Sequence, residues 1–527
     1  MDYADTMDHA DKQQALQDEQ QLSPHDIVEE PQQRDSSTQH IIGPDDRKFS
    51  WKKMGTIAAC GAALFSDGYV NNSIGNVNTM LSGLYPTVYG SDANNNLSET
   101  LTAIAFAGTV VGMLLFGYFS DAIGRKSGMI GATVIILIFT ALSAGSYYKG
   151  QTEGMIQMLI AWRFFTGIGI GAEYPTGSVS AAEKTEEMPK KFQHGPFIFV
   201  TNFAIDLGFV AGSFVPLVLT WICGENHNRL IWRLTLGLGV VPCLLVLPFR
   251  AVMQQSKLYN QGKLKTAQIP YILTLKYYWF RLLMISLVWF IYDFISYPFG
   301  IYSSLITTEL MGGADAAGNK PQWVTFGWSC LINTFYLPGA FAGAALVDTL
   351  GPKRTFQTGL VLQIIIGFIM SGLFDKLKVH PAAFCVVYGL FLTFGEMGPG
   401  DNLGLIASKS CATCVKGQFY GIAAAIGKIG AFGGTYAFPA FRSNYDETDS
   451  RYYTAPFYLG SALACVSLIL LTFCIKERNA DCQATEEEAF RAYLRQNGFD
   501  LNLMGRQDSM DTALTGSLES IDEKKAM

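Results

Sequence analysis

Eight ionisable residues fall inside the long apolar runs of this sequence: Asp67, Arg163, Glu173, Asp206, Asp293, Glu396, Asp401 and Lys428. At the centre of a bilayer each would cost about 2.5–3.5 kcal/mol, so each needs a reason to be there. Half lie in the first half of the chain and half in the second, as a central cavity between two half-bundles requires. Such a set could do two kinds of chemistry. The acids can carry protons, and the lysine can neutralise an anion.

The stretch Trp289-Phe-Ile-Tyr-Asp293-Phe-Ile-Ser-Tyr297-Pro298 sets Trp289, Asp293 and Tyr297 four residues apart, on one helical face. An aromatic–acid–aromatic stripe beside water could bind a ligand and titrate. An interfacial aromatic belt would explain the rings but not an acid at their centre. Lys428 lies in Gly421-Ile-Ala-Ala-Ala-Ile-Gly-Lys428-Ile-Gly-Ala, where every neighbour is small or apolar. Its partner is either an entering phosphate or an internal carboxylate (Asp401, Glu396 or Asp293), and the two readings are compatible. Glu173 could exchange a proton or balance Arg163, and Tyr174 could donate to an oxyanion. For Asp67, proton carriage and capping of polar groups stand equally open.

The elements that must position these residues span a membrane. Of 527 residues, 49% are hydrophobic and 16% charged, and from about Met54 to Ile475 the chain is mostly apolar runs of membrane-crossing length. We read twelve spans: 54–76, 99–120, 127–148, 154–173, 196–221, 231–249, 279–305, 323–347, 355–374, 382–404, 418–440 and 454–475. The predicted fold class is an all-α membrane protein with two pseudo-symmetric six-helix bundles, 51–249 and 279–476. A linker, 250–278, joins them. Residues 1–50, acidic and nearly free of aromatics, read as a disordered tail, and 477–527 as a second, solvated tail with a helix-like stretch at Glu486–Gln496. No basic segment followed by an apolar core marks a cleavable signal peptide.

Lys and Arg alternate between connections. One set includes Lys52, Arg125, Lys126, Lys184, Lys190, Lys257, Lys353, Lys409 and Lys476, whereas 77–98 has neither residue. That bias predicts both termini and the linker on the cytoplasmic side, and Asn96-Leu-Ser98 outside as a glycosylation acceptor. A similar triplet at Asn71 falls inside the first span.

Gly117-Tyr-Phe-Ser-Asp121-Ala-Ile-Gly124-Arg125-Lys126 lies between two spans, and a degraded copy recurs as Ala344-Ala-Leu-Val-Asp348-Thr-Leu-Gly351-Pro-Lys353-Arg354. Two copies in equivalent places indicate a duplicated membrane protein whose halves move against each other. Gly117, Asp121, Gly124 and Arg125, mirrored by Asp348 and Lys353, would latch one side. Arg125 and Lys126 could instead serve topology alone. The ten cysteines lie mostly in apolar runs, and Cys411–Cys414 lacks a second pair for zinc. No catalytic or metal residue set, Gly-rich nucleotide loop or nucleic-acid motif is visible. The chain therefore reads as a non-enzyme without a cofactor.

These residues resemble the major facilitator superfamily, and within it the fungal phosphate:proton symporters, over roughly residues 54–478. The matching elements are the 117–126 loop, Gly-Ile-Gly-Ile-Gly-Ala-Glu173-Tyr174-Pro175, Trp289…Asp293…Tyr297, Gly-Pro at 398–399 and Gly-Lys428-Ile-Gly. The resemblance implies that Tyr174, Trp289, Asp293, Tyr297 and Lys428 line the substrate site and that Asp67 and Glu173 belong to the proton path. Three departures qualify it. Inorganic-phosphate members carry Asp-Tyr-Pro, Phe-Ala-x-Gln and Asn-Phe-Gly-Pro-Asn, where this chain has Glu173-Tyr174-Pro175, Phe203-Ala-Ile-Asp206 and Glu396-Met-Gly-Pro-Gly400. Acids at Asp206 and Glu396 suit the headgroup of a phosphodiester better than an inorganic dianion.

The pattern is similar to that of fungal glycerophosphodiester permeases. It implies proton-coupled import of glycerophosphocholine or glycerophosphoinositol, small-molecule substrates, across the plasma membrane. An inorganic phosphate or sugar symporter of the same fold, or a non-transporting nutrient sensor, are the alternatives. The oligomeric state is left open.

Overall fold

The structure is a computed structural model that describes residues 51–89, 96–189, 192–254, 269–303, 306, 321–446, 449–478 and 482–501. The 1–50 tail, the centre of the linker with Lys257, Lys190 and most of the 477–527 tail lie outside them. A lead-in helix, Trp51–Gly61, runs through one tight turn into α1, Phe65–Leu84. Ten further helices are long and apolar enough to cross a bilayer. They are α2 (Leu97–Ala122), α3 (Arg125–Ala144), α4 (Thr152–Thr185), α5 (Gly195–Cys223), α6 (Glu225–Val252), α7 (Tyr271–Ile301), α8 (Gln322–Leu350), α9 (Pro352–Gly372), α10 (Ala382–Ser408) and, last in the chain, α12 (Ser450–Cys474). Between the last two runs α11, Lys416–Arg442.

Helices α1 and α11 fall outside that apolar set because of what they carry. Asp67, Asn71, Asn72, Ser73 and Asn76 of α1 and Lys428 of α11 are all buried inside the protein rather than facing lipid. Their polarity is spent on the interior. All twelve expected spans correspond to these helices. The first extends to Leu84 instead of 76, and the fourth continues to Thr185 instead of 173.

Small residues set the closest crossings. A methyl group at Gly108 of α2 would strike the Phe164 carbonyl of α4, and one at Gly171 of α4 would strike Thr109 of α2. Dispersion between backbones must hold helices together where lipid supplies no hydrophobic drive. The repeated loop motif gains a physical reason for its glycines. Gly124 (φ +137°) and Gly351 (φ +88°) occupy conformations that favour glycine, each one residue before a helix start. Gly117 faces α11, where a methyl would come 3.1 Å from the Gly417 carbonyl.

Two π-helical turns interrupt equivalent helices: Tyr174–Ser178 in α4 and Glu396–Gly400 in α10. Each contains a proline, Pro175 or Pro399, which cannot donate to the helical ladder. Such turns widen the helix locally and redirect side chains, frequently at functional sites. Here they redirect Tyr174 and Glu396.

The expected solvated tail needs correction at its start. Cys482–Gln496 forms a helix, α13, with Phe490 and Leu494 fully buried. Glu486 pairs with Arg281 of α7 at 2.6 Å, and Glu487 accepts the Thr413 N–H at 2.9 Å. Tyr277 and Tyr278 of α7 pack on the Phe490 ring. The helix is docked because its apolar stripe meets the end of α7 and the 409–415 connection.

Candidate functional site

A cavity of about 50 Å³ lies between α1–α6 and α7–α12. That volume holds one or two waters. Its lining includes all seven residues expected to meet substrate: Tyr174, Asp206, Trp289, Asp293, Tyr297, Glu396 and Lys428. They arrive from four helices besides α4, so the site exists only when the two halves meet.

Two clusters divide the lining. The first gathers around Lys428, which is 1% exposed. Its ammonium lies 3.5 Å from Asp67 of α1 and 3.4 Å from Asp293 of α7, and it donates to the Tyr297 hydroxyl. Of the carboxylates weighed from sequence as its partner, Asp293 is present; Asp401 and Glu396 accept from the Asn202 amide instead, and Asp67 takes their place. Asp67 also accepts from Asn71 at 2.6 Å, from Tyr297 at 2.7 Å and from the Tyr174 hydroxyl. Asp67 lies just behind the lining and holds both tyrosines. The Lys428 ammonium sits 3.7 Å from the Tyr297 ring centroid and 5.1 Å from that of Tyr174, within reach of their electron-rich faces. A lysine, two carboxylates and two phenols, contributed by both halves, form one buried cluster in which the ammonium faces two acids.

The second cluster was half legible from sequence. Asp206 of α5 and Glu396 of α10 were expected there, but Asn202 and Asp401 complete it. The Asn202 amide donates to Glu396 at 3.0 Å and Asp401 at 2.9 Å, with Asp206 at 3.5 Å. Glu396 additionally accepts from Tyr292 at 2.7 Å and Ser296 at 3.2 Å. The four-residue spacing of Asn202 and Asp206 was the available signal for the amide.

Glu173 is the principal correction. It sits outside the cavity lining, paired with Arg250 of α6 at 2.5 Å and 3.3 Å from the Thr133 hydroxyl. Arg163 does not balance it; that guanidinium donates to the Leu101 carbonyl at 2.9 Å and the Val70 carbonyl at 3.1 Å. Glu173, expected on the proton path, thus does not line the cavity. Adjacent residues point about 100° apart around a helix, so Glu173 and Tyr174 face different sides of α4, and the π turn begins at Tyr174.

The loop motif builds two matched contacts on the lysine-rich face. Asp121 of α2 accepts the Gly417 and Gln418 N–H groups at the start of α11, both at 2.9 Å. Asp348 of α8 accepts the His194 and Gly195 N–H groups at the start of α5, both at 3.0 Å. A carboxylate on unpaired N–H groups at a helix start is favourable. Arg125 spans Asp121 at 2.5 Å and Glu183 of α4 at 3.0 Å. Lys353 departs from the mirror, donating to Thr472 of α12 at 2.9 Å instead of reaching Asp348. The His194 ring lies 3.4 Å from Asp348, but burial and the charge of Lys409 push its pKa down to about 3. It is neutral at ordinary pH, so the two N–H bonds carry that contact.

The halves also touch on the opposite face. Tyr436 of α11 donates to Thr100 of α2 at 3.1 Å, and Asn333 of α8 to Ser213 of α5 at 3.2 Å. Asn96 is exposed just before α2, whereas Asn71 is fully buried against Asp67 and unreachable for glycosylation.

A family model described as "Sugar (and other) transporter" matches twice, over residues 54–273 and 265–482. The major glycerophosphoinositol permease of Candida albicans is 46% identical over 453 residues, covering 85% of this chain and 83% of that protein. A glycerophosphocholine permease of Candida albicans is 44% identical over 464 residues, covering 87% and 85%. Glycerophosphoinositol transporter 1 of Saccharomyces cerevisiae is 33% identical over 476 residues, covering 90% and 88%. Among solved structures, a proton:xylose symporter of the major facilitator superfamily bound to 6-bromo-6-deoxy-D-glucose aligns with a TM-score of 0.68 at 17% identity, over 83% of this chain and 98% of that one. The fold is the twelve-helix major facilitator fold, as expected from the spans.

Proposed function

This chain belongs to the Sugar (and other) transporter family, and on that premise we propose that it imports glycerophosphodiesters with protons by alternating access. It is a multi-pass membrane transporter and not an enzyme. The observation that carries the reading is Lys428 held between Asp67 and Asp293 inside the cavity, at 3.5 and 3.4 Å. One ammonium against two carboxylates leaves a net negative charge when both acids are ionised. An entering phosphodiester adds another. In a low-dielectric chamber that sum is costly, so at least one acid must take a proton as the anion arrives. Proton coupling follows from this charge count. Lys428 then neutralises the phosphate while Tyr174, Trp289 and Tyr297 position it. Asp67 and Asp293 carry or sense the proton, and Asp206 and Glu396 address the headgroup.

The site lies at the plasma membrane in this reading, with both termini and the lysine-rich face cytoplasmic. The two half-bundles rock about the cavity. The Asp121 and Asp348 contacts hold the cytoplasmic side closed. Replacing Asp121 with Ala strips two N–H groups of their acceptor and should shift the carrier toward the inward-open form. Uptake should fall about tenfold, the loss of roughly 1–2 kcal/mol typical of a helix cap. A cysteine placed at Ser296 should become more reactive from the cytoplasmic side; unchanged labelling would remove the latch role.

The substrate reading is tested by uptake of labelled glycerophosphocholine and glycerophosphoinositol into proteoliposomes of the full chain, with and without a pH gradient. Free phosphate in modest excess should barely inhibit, and Asp206→Gln should shift the preference between the two diesters. Strong competition by phosphate would favour an inorganic phosphate symporter. Binding without uptake would favour a sensor.

A further inference from the structure

Asp206, Glu396 and Asp401 are 2%, 3% and 1% exposed, and their oxygens converge on one amide, that of Asn202. An amide has two N–H groups, so it cannot satisfy three carboxylates. Among the described residues, no lysine or arginine forms an ion pair with any of them. Asp401 Oδ2 is buried without a hydrogen-bond partner. Nor do described His, Cys, Asp and Glu side chains form a group able to hold a metal ion. The cluster opens on the substrate cavity beside the rings of Phe209, Tyr292 and Tyr336. Tyr292 and Asp293 of α7, Tyr336 of α8 and Lys428 of α11 are the other titratable groups that face it. Lys428 is already committed to Asp67 and Asp293.

We propose that Asp206, Glu396 and Asp401, gathered on Asn202, form a charge-exchange subsite that must hold one positive charge during each transport step. A cationic headgroup supplies it as a quaternary ammonium, stabilised by the carboxylates and the surrounding ring faces. A neutral polyol headgroup cannot, and a proton takes its place while the remaining oxygens accept the polyol hydroxyls. This rests on the glycerophosphodiester reading and adds to it that proton stoichiometry depends on the substrate.

The consequence is a charge balance with no free parameter. Glycerophosphoinositol carries one negative charge, and glycerophosphocholine is a zwitterion of net zero. If the first brings one extra proton, charge moved per molecule is the same for both. The experiment measures labelled uptake, internal acidification and current together, in proteoliposomes of the wild-type chain. We expect equal charge per substrate and one more proton per glycerophosphoinositol than per glycerophosphocholine. Equal proton counts for the two, or a sodium requirement at fixed pH, would overturn the inference while leaving the substrate reading intact. Absence of uptake of both diesters would overturn the substrate reading itself, and this with it. In variants, Asp401→Asn should raise the glycerophosphocholine KM by about tenfold and that for glycerophosphoinositol much less, with Asp401→Glu restoring it. Equal shifts for both substrates would count against the subsite.

Discussion

Lys428→Ala is expected to abolish uptake of both glycerophosphocholine and glycerophosphoinositol. Among the described residues Lys428 is the only basic side chain in the cavity lining, and it faces two carboxylates within 3.5 Å. Removing one partner of a buried charge pair costs about 3–5 kcal/mol, because the other charge is stranded. Spent on binding an anion, that is about two orders of magnitude or more in affinity. A phosphodiester entering the variant would meet Asp67 and Asp293 with nothing to offset them. Lys428→Arg should rescue poorly. The compact ammonium fits against the Tyr297 ring at 3.7 Å, a space that a planar guanidinium would overfill. To separate lost binding from lost folding, the triple variant Asp67→Asn, Asp293→Asn, Lys428→Ala removes both stranded carboxylates. It should fold as wild type does, by thermal stability in detergent, yet still not transport. Normal uptake by Lys428→Ala would end the site as described.

Membrane physics made most of this architecture legible before any coordinate. Runs of about twenty apolar residues have one use at this length. Charged residues inside such runs stand out for the same reason, which is why Asp206, Asp293, Glu396 and Lys428 of the lining could be named. What stayed hidden was direction. Helical spacing from a regular 3.6-residue repeat misplaces residues beyond a π turn, and both turns, at Tyr174–Ser178 and Glu396–Gly400, fall at the site. Glu173 and Tyr174 are adjacent in sequence, and the resemblance assigned both to function. In the structure Tyr174 faces the cavity and Glu173 faces Arg250, which lies 77 positions along the chain. Asn202 was passed over because a neutral amide near the end of an apolar run raises no alarm; its importance comes from the three acids it meets.

Arg250→Ala should therefore be a stability defect rather than a coupling defect. Its fully buried guanidinium donates to Glu173 at 2.5 Å, Thr133 at 2.7 Å and the carbonyls of Met129, Cys60 and Ala59 at 3.0, 2.8 and 3.1 Å. One side chain of α6 thus ties the lead-in helix, α3 and α4 together. Truncation strands the Glu173 carboxylate and several carbonyls, a loss of about 3–5 kcal/mol that should show as a large fall in thermal stability and in the amount of folded carrier. The discriminating variant is the neutral pair Glu173→Gln, Arg250→Met. Replacing a buried ion pair by uncharged groups of similar volume is often near neutral in stability. The pair should recover folding and, because Glu173 does not line the cavity, transport with its normal response to a pH gradient. Should the neutral pair fold and take up substrate but lose that response, Glu173 would be returned to the proton path. The charge count around Lys428 would then no longer account for coupling without it.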